Sequence, residues 1–325
     1  MALENQRKFI EYQSDILENT RNFLKTQQEF QNKLITLLGL SNYSSNIQSN
    51  SFEEKTKSLL AFHMITNVKI YYDFSKSALK LALDVFKLLT PMNIENKKKV
   101  RLGGDFDGGY VTIAPEIIKE NNGIAYSFGV SNYDPWSLEM VKRGYNVYQY
   151  DGTIENSPYT HPMIHFYKYL ISSSTDPKPN EKNIKRIFED HGHYGKNIFL
   201  NIDIEGAEWD FFESLAKEEI SCFEQIIVEF HEFLIDDKIQ RKIEILKKIN
   251  ETHQSIHVHA NNGAWPLATI LLGFRQLPAV MEVTYIRKNP EYKFTACMDE
   301  FPGKFDSPND QLFPDIYLGF FNEQK

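Results

Sequence analysis

Asn201-Ile202-Asp203-Ile204-Glu205-Gly206-Ala207-Glu208-Trp209 is the stretch whose reading decides the fold. An apolar run from about residue 197 ends in two carboxylates, and Gly206 then turns the chain into a segment with helical patterning, 207–217. A strand that feeds a helix in this way is the unit of a parallel sheet with crossover connections. Side chains two apart on a strand point to the same side, so Asp203 and Glu205 are placed to converge on one site. In open α/β sheets that site is the crevice outside the carboxyl ends of the strands. Glu205 and Glu208 also suit the first turn of a helix, where negative charge complements the macrodipole.

Outward from this stretch the same alternation continues from Val100 to the C-terminal part of the chain. Strands are expected near 124–130, 146–151, 164–169, 197–204, 224–231, 255–260 and 279–287. Helices are expected at 134–143, 180–190, 207–217 and 236–252, giving an α/β fold with no internal repeat. Upstream the texture is helical. Phe9, Ile16, Phe23, Phe30 and Leu37 recur every seventh residue beside a second column of Ile10, Leu17, Leu24 and Leu38, an amphipathic helix over 1–40. Ser41–Ser51 reads as a loop, further helices are expected at 53–72 and 76–90, and Pro91 closes the region. The resulting division is a helical N-terminal extension, 1–95, and an α/β domain, 96–325. The long apolar stripe of 1–40 needs a partner surface, either the neighbouring helices or a second copy, so homo-oligomerisation through residues 1–40 is expected.

The whole chain of 325 residues carries a formal charge of −8 with 42% hydrophobic and 25% charged residues. These values suit a globular protein and disfavour broad contact with nucleic-acid backbones, which needs clustered Lys and Arg. Lys97, Lys98, Lys99 and Arg101 form the single compact basic run, read as a solvated segment. Met1–Glu11 is polar, and no run approaches the ~20 apolar residues of a membrane span. Cys222 and Cys297 are the two cysteines, without metal-like spacing or a disulfide framework. A soluble, cytoplasmic protein is therefore expected.

Tyr126-Ser127-Phe128-Gly129-Val130-Ser131-Asn132 reads as a strand entering a small-residue turn, before Asp134-Pro135-Trp136 opens a helix. Asp151 ends the next strand, about 20 residues on, where nucleotide-binding α/β folds place an acid that accepts hydrogen bonds from ribose hydroxyls. A full Gly-x-Gly-x-x-Gly is missing. Dinucleotides set a pyrophosphate on the helix N-terminus, whereas S-adenosylmethionine has none, so this turn suits the latter better.

Asp203-Ile204-Glu205-Gly206-Ala207-Glu208 resembles the signature of FkbM-like methyltransferases, a branch of the class I methyltransferases. Arg101-Leu102-Gly103-Gly104-Asp105-Phe106-Asp107-Gly108-Gly109-Tyr110-Val111 resembles the glycine-rich segment at the start of that domain. Val228-Glu229-Phe230-His231, His257-Val258-His259-Ala260-Asn261-Asn262 and Met281-Glu282-Val283-Thr284-Tyr285 resemble its later strands. The resemblance spans about 100–288. It implies a Rossmann-like domain with a seven-stranded, mostly parallel sheet whose last strand is antiparallel. It also implies S-adenosylmethionine near Gly129 and Asp151, with Ser131, Gly103, Asp107, Tyr110 and Glu205 around it, and a carbohydrate or related hydroxyl acceptor near Asp203.

Histidine titrates near neutral pH and suits removal of a hydroxyl proton. His231 and His259 join Asp203 as candidate catalytic groups on that ground. No metal is assigned, although Asp203, Glu205, Glu229, His231 and His259 offer an oxygen- and nitrogen-rich alternative. Aromatic residues Tyr133, Trp136, Tyr159, Trp209 and Trp265 are candidates to line an acceptor pocket. Two other functions compete: a nicotinamide-dependent oxidoreductase, and a non-catalytic scaffold acting through its N-terminal helix.

Overall fold

Ile198–Ile202 is buried at all five positions, as a strand covered on both faces must be. The computed structural model describes residues 71–73, 76–233, 238–263, 268–271, 276–311 and 315–321. The chain divides into two units between Ile70 and Tyr71, and the described residues belong to the second. In chain order, α1 (Lys76–Leu89) precedes a hairpin of β1 (Lys99–Gly103) and β2 (Gly109–Ile113). Then follow β3 (Gly123–Phe128), α2 (Pro135–Lys142), β4 (Tyr145–Tyr150), β5 (Ile164–Tyr167), α3 (Ile184–His191) and β6 (Ile198–Ile202). The series closes with α4 (Glu208–Ser214), β7 (Phe223–Phe230), α5 (Ile239–Thr252), β8 (His253–Ala260) and β9 (Met281–Arg287).

Seven strands form one sheet in the order β5-β4-β3-β6-β7-β9-β8. Neighbours are parallel from β5 to β7, and β9 is antiparallel to both β7 and β8. All seven expected strands are present. Ala125, Val147, Phe199 and Ile227 share one core with Trp136 and Met140 of α2 and with Leu102 and Tyr110 of the hairpin. Alternate residues point the other way: Tyr126 stacks on Phe188 of α3 and Phe128 meets Phe211 of α4 edge-on. The sheet is thus covered on both faces.

Helix boundaries follow local chemistry. Asp134 caps α2 by accepting from the Ser137 backbone N–H at 3.0 Å, with Pro135 in the first turn, where its missing donor costs nothing. The helix expected over 180–190 starts only at Ile184, because Asn183 caps it through the Arg186 N–H at 2.9 Å. The one expected over 207–217 stops at Ser214, since Leu215 is extended at φ −69, ψ 141.

The helix of 76–90 occurs as α1 and is tied to the α/β unit, where the Asn250 side-chain amide on α5 donates to the Leu88 carbonyl at 2.7 Å. The compact unit that holds the sheet begins at Tyr71 and so includes α1. At the end of the helix expected over 53–72, Tyr71–Asp73 is instead a short strand parallel to Ala268–Leu271. The expected helix of 1–40, with its oligomerisation role, the Ser41–Ser51 loop and the rest of 53–72 lie outside the described residues. No described helix is long and apolar enough to cross a membrane. Both cysteines are buried.

Candidate functional site

From β3 the chain runs outward through β4 and β5, then returns to the other side of β3 as β6. The strand order reverses between β3 and β6, and this switch point is where open α/β sheets bind ligands. Phe128 and Ile202 are register partners there, and the Asp203 N–H donates to the Phe128 carbonyl at 2.8 Å. Gly129 follows at φ +78, and a Cβ on it would lie 1.6 Å from the Asp203 carbonyl oxygen. Only glycine lets the two strand ends close in this way. Above them opens a cavity of about 650 Å³, within the usual range for small-molecule sites.

Gly129, Ser131, Asp151, Asp107, Tyr110, Asp203 and Glu205 all line this cavity. So do Asp134, Glu181 and Asp210, while no Lys or Arg among the described residues does. Glu181 pairs with Lys178 and Asp210 with Arg241, so the acidic character of the wall rests on Asp107, Asp151, Asp203 and Glu205, and that field favours cations over anions. Asp134 adds to this at the mouth of α2. It is buried and accepts from the Ser127 hydroxyl at 2.8 Å, the Gln149 side-chain amide at 2.8 Å and the Ser137 hydroxyl. The helix N-terminus is already filled by the protein's own carboxyl group.

Asp151 staples the two loops that flank the cavity. Its Oδ2 accepts from the Val130 and Ser131 N–H groups at 2.9 and 3.0 Å, its Oδ1 from the Thr153 N–H and hydroxyl at 2.7 and 2.6 Å. Burial alone would raise its pKa; the donors of Thr153, Ser131 and Val130 outweigh that and hold it below the ordinary carboxylate value. These bonds also fix Ser131 in the left-handed region, φ 53.

The segment after β6 builds a second arrangement. Glu205 and Gly206 both have positive φ, 55 and 104, which turns the chain into α4. Glu208, fully buried, accepts from the Ile204 N–H at 2.8 Å and the Gly206 N–H at 3.1 Å. Its Oε1 lies 3.2 Å from His231 Nδ1. Trp209 donates from Nε1 to the His231 carbonyl at 2.7 Å and stacks on Phe230. His231 Nε2 is thereby aimed at three carboxylates: Glu205 at 3.5 Å, Glu229 at 3.7 Å and Asp203 at 3.9 Å. Burial alone would lower the His231 pKa, but the Glu208 bond and the nearby Asp203 and Glu205 raise it. Asp203 has its carboxyl pushed up to about 7 by burial, partly opposed by His231. Asp203 Oδ1 is buried without a hydrogen-bond partner.

Beside this pair, a rung crosses three strands: His259 of β8 pairs with Glu282 of β9, which pairs with Glu229 of β7. His259 does not join His231. Its Nδ1 lies 3.0 Å from Glu282 and its Nε2 3.0 Å from Asp315, so both nitrogens are engaged. Burial alone would depress it; Glu282 and Asp315 raise it well above its ordinary value. Burial, with Asp203, Glu282 and Asp107 nearby, pushes the Glu229 carboxyl well up. Burial and the same carboxylates push the Tyr110 hydroxyl up. Among the described residues, two sets of side chains bring ligand atoms within 4.8 Å of one another and so could hold a metal ion: Asp203, Glu205 and His231; and Asp107, Glu229 and Glu282.

Gly103 lies at the hairpin base outside the cavity wall; at φ +101, a Cβ there would lie 2.1 Å from the Gly108 carbonyl oxygen. Arg101, from the basic run, braces this loop through the Gly104 and Phe106 carbonyls at 3.0 and 2.6 Å. Tyr133 is 57% exposed and lines the cavity, and Tyr159 accepts from the Asp134 N–H at 3.3 Å. Trp136 and Trp209 belong to the core, and Trp265 lies outside the described residues. Glu208, Asp134, Thr153 and Glu282 carry parts of this geometry that their positions in the sequence did not announce. Comparison of the chain with models of known protein families and with curated proteins finds no match.

Proposed function

We propose that this chain is an S-adenosylmethionine-dependent methyltransferase of the Rossmann-like class I type, acting on a hydroxyl acceptor of the carbohydrate class. The observation that carries this reading is the cavity at the β3/β6 switch point, walled by carboxylates and free of Lys and Arg among the described residues. A sulfonium cation is favoured in such a field, and a pyrophosphate is opposed by it. The Asp134 carboxyl at the N-terminus of α2 opposes a pyrophosphate further, which argues against the nicotinamide alternative. The insertion of antiparallel β9 between β7 and β8 supports the same family resemblance, as does the bare Gly129 floor.

Held beside Gly129 and Asp151, S-adenosylmethionine would supply an electrophilic methyl group for an acceptor oxygen, with its sulfur taking the electrons of the broken bond. The chain's own residues provide position and proton transfer. Gly129 leaves room for close approach, and Asp151 faces the ribose side while holding the Val130–Ser131 turn. On the acceptor side, Asp203 or His231 takes the hydroxyl proton, and Glu208 and Trp209 set the His231 ring. Thermal shift with S-adenosylhomocysteine, S-adenosylmethionine and NAD tests the reading, since a ligand of the native state raises its melting temperature. Stabilisation by the two sulfur compounds and not by NAD is expected; the reverse pattern, or none, overturns it. A mass screen of glycans for gain of one methyl group then addresses the acceptor.

A further inference from the structure

Glu229 and Glu282 stand directly opposite each other in the antiparallel β7–β9 pair, an arrangement that is destabilising for two like charges. Both are buried, at 5% and 6% exposure. Asp107, exposed on the loop between β1 and β2, completes a triangle whose ligand oxygens all lie within 4.8 Å of one another. Among the described residues no Lys or Arg forms an ion pair with any of the three; His259 serves Glu282 but is shared with Asp315, and His231 Nε2 lies 3.7 Å from Glu229 Oε1, away from its second oxygen.

The hydrogen bonds present leave the set unsatisfied. Asn261 donates to Glu229 Oε1 at 2.8 Å, and Asn309 donates to Asp107 at 3.1 Å and to Glu282 at 2.6 Å. Glu229 Oε2 is buried with no partner, and so is Asn309 Oδ1. An orphaned carboxylate oxygen in the interior carries a heavy desolvation cost unless something positive meets it.

We infer that Asp107, Glu229 and Glu282 form a binding site for one hard divalent cation of the Mg²⁺ or Ca²⁺ class. The donors are all oxygens, the preference of such ions. Trans oxygens span about 5 Å around Ca²⁺ and about 4.2 Å around Mg²⁺. Oxygens within 4.8 Å of one another lie inside the span that one such ion bridges. The Asp203, Glu205 and His231 set is the weaker candidate, because the Glu205 side chain is 86% exposed and His231 is already held by Glu208. Asp107 lines the cavity, so open coordination positions would face acceptor oxygens; that role rests on the transferase reading, whereas the site itself does not.

Mn²⁺ is the probe. Loss of the free Mn²⁺ electron paramagnetic resonance signal on titrating the full chain reports binding without methyl donor or acceptor, so the result is independent of the proposed activity. One saturable Mn²⁺ per chain is expected, displaced by Ca²⁺ or Mg²⁺, with affinity reduced at least about tenfold in Glu229→Gln and unchanged in Glu205→Gln. Asp107→Asn, on an exposed loop, gives the same loss should Glu229→Gln fail to fold. Absence of saturable binding overturns the inference, and so does loss in Glu205→Gln with retention in Asp107→Asn.

Discussion

Replacing Asp151 with asparagine tests whether the cavity walls are held as described. The carboxylate accepts four hydrogen bonds, two at each oxygen. An amide keeps one accepting oxygen and turns an NH₂ toward two donors. If the Thr153 pair is kept, the Val130 and Ser131 N–H groups lose their acceptor. Each bond to a charged group contributes about 1.5–3 kcal/mol, and water in the cavity can reach the freed groups, so the lower end applies. The expected loss is about 3 kcal/mol, or roughly 6–12 °C in melting temperature for a unit of this size. Calorimetry of wild type and Asp151→Asn reads it, and titration with S-adenosylhomocysteine should show a loss of about tenfold or more. The difference depends on pH. The folded Asp151 pKa lies below the unfolded value of about 3.9, so the advantage of the wild type is full above that value. It fades as pH falls through the folded pKa. Equal melting temperatures at neutral pH would refute the staple, and equal affinity with a lowered melting temperature would remove Asp151 from the cofactor side.

Asp203→Asn should lower kcat by about 10²–10⁴-fold while leaving S-adenosylhomocysteine affinity intact; wild-type turnover would exclude Asp203 from proton transfer. Gly129→Ala should cost about 3 kcal/mol or more in urea unfolding, since its Cβ meets the Asp203 carbonyl at 1.6 Å in a left-handed backbone; a loss under about 1 kcal/mol would show that β3 and β6 separate easily. His253 is fully buried between the Phe223 carbonyl and the Thr252 hydroxyl, and burial lowers its pKa to about 4. Its unfolded form takes a proton first, so this contribution is full above pH ~6.5 and erodes by about 3 kcal/mol as pH falls toward 4. Urea unfolding across that range should show a flatter pH slope in His253→Asn, and identical slopes would contradict the burial argument.

The seven strands were legible because parallel strands covered on both faces read as apolar runs, Ile198-Phe199-Leu200 being the clearest. Their ends were displaced by at most two residues, as where β6 stops before Asp203 because that carboxylate belongs to the loop. Gly129, Asp151 and Asp203 could be placed from their positions at strand ends. Glu229 with Glu282 could not be, since a rung between residues 53 apart exists only once the antiparallel register is known. Glu208 was misleading for another reason. Its position suits an early-helix carboxylate, yet it is fully buried and spends its oxygens on Ile204, Gly206 and His231. His259 drew attention as a titratable side chain near His231, but its alternation along β8 carried no sign of Asp315 waiting on the other side.

Two carboxylates, Asp151 and Glu208, each bind backbone N–H groups at the mouth of the sheet and lock the loops that shape it. A ligand entering this cleft therefore finds the Val130–Ser131, Thr153 and Ile204–Gly206 walls already held and spends little of its binding free energy on ordering them. Association should then proceed in a single step at a rate set by encounter, without a slow isomerisation phase. Heat-capacity changes on binding should reflect apolar area buried by the ligand alone, with no folding contribution added.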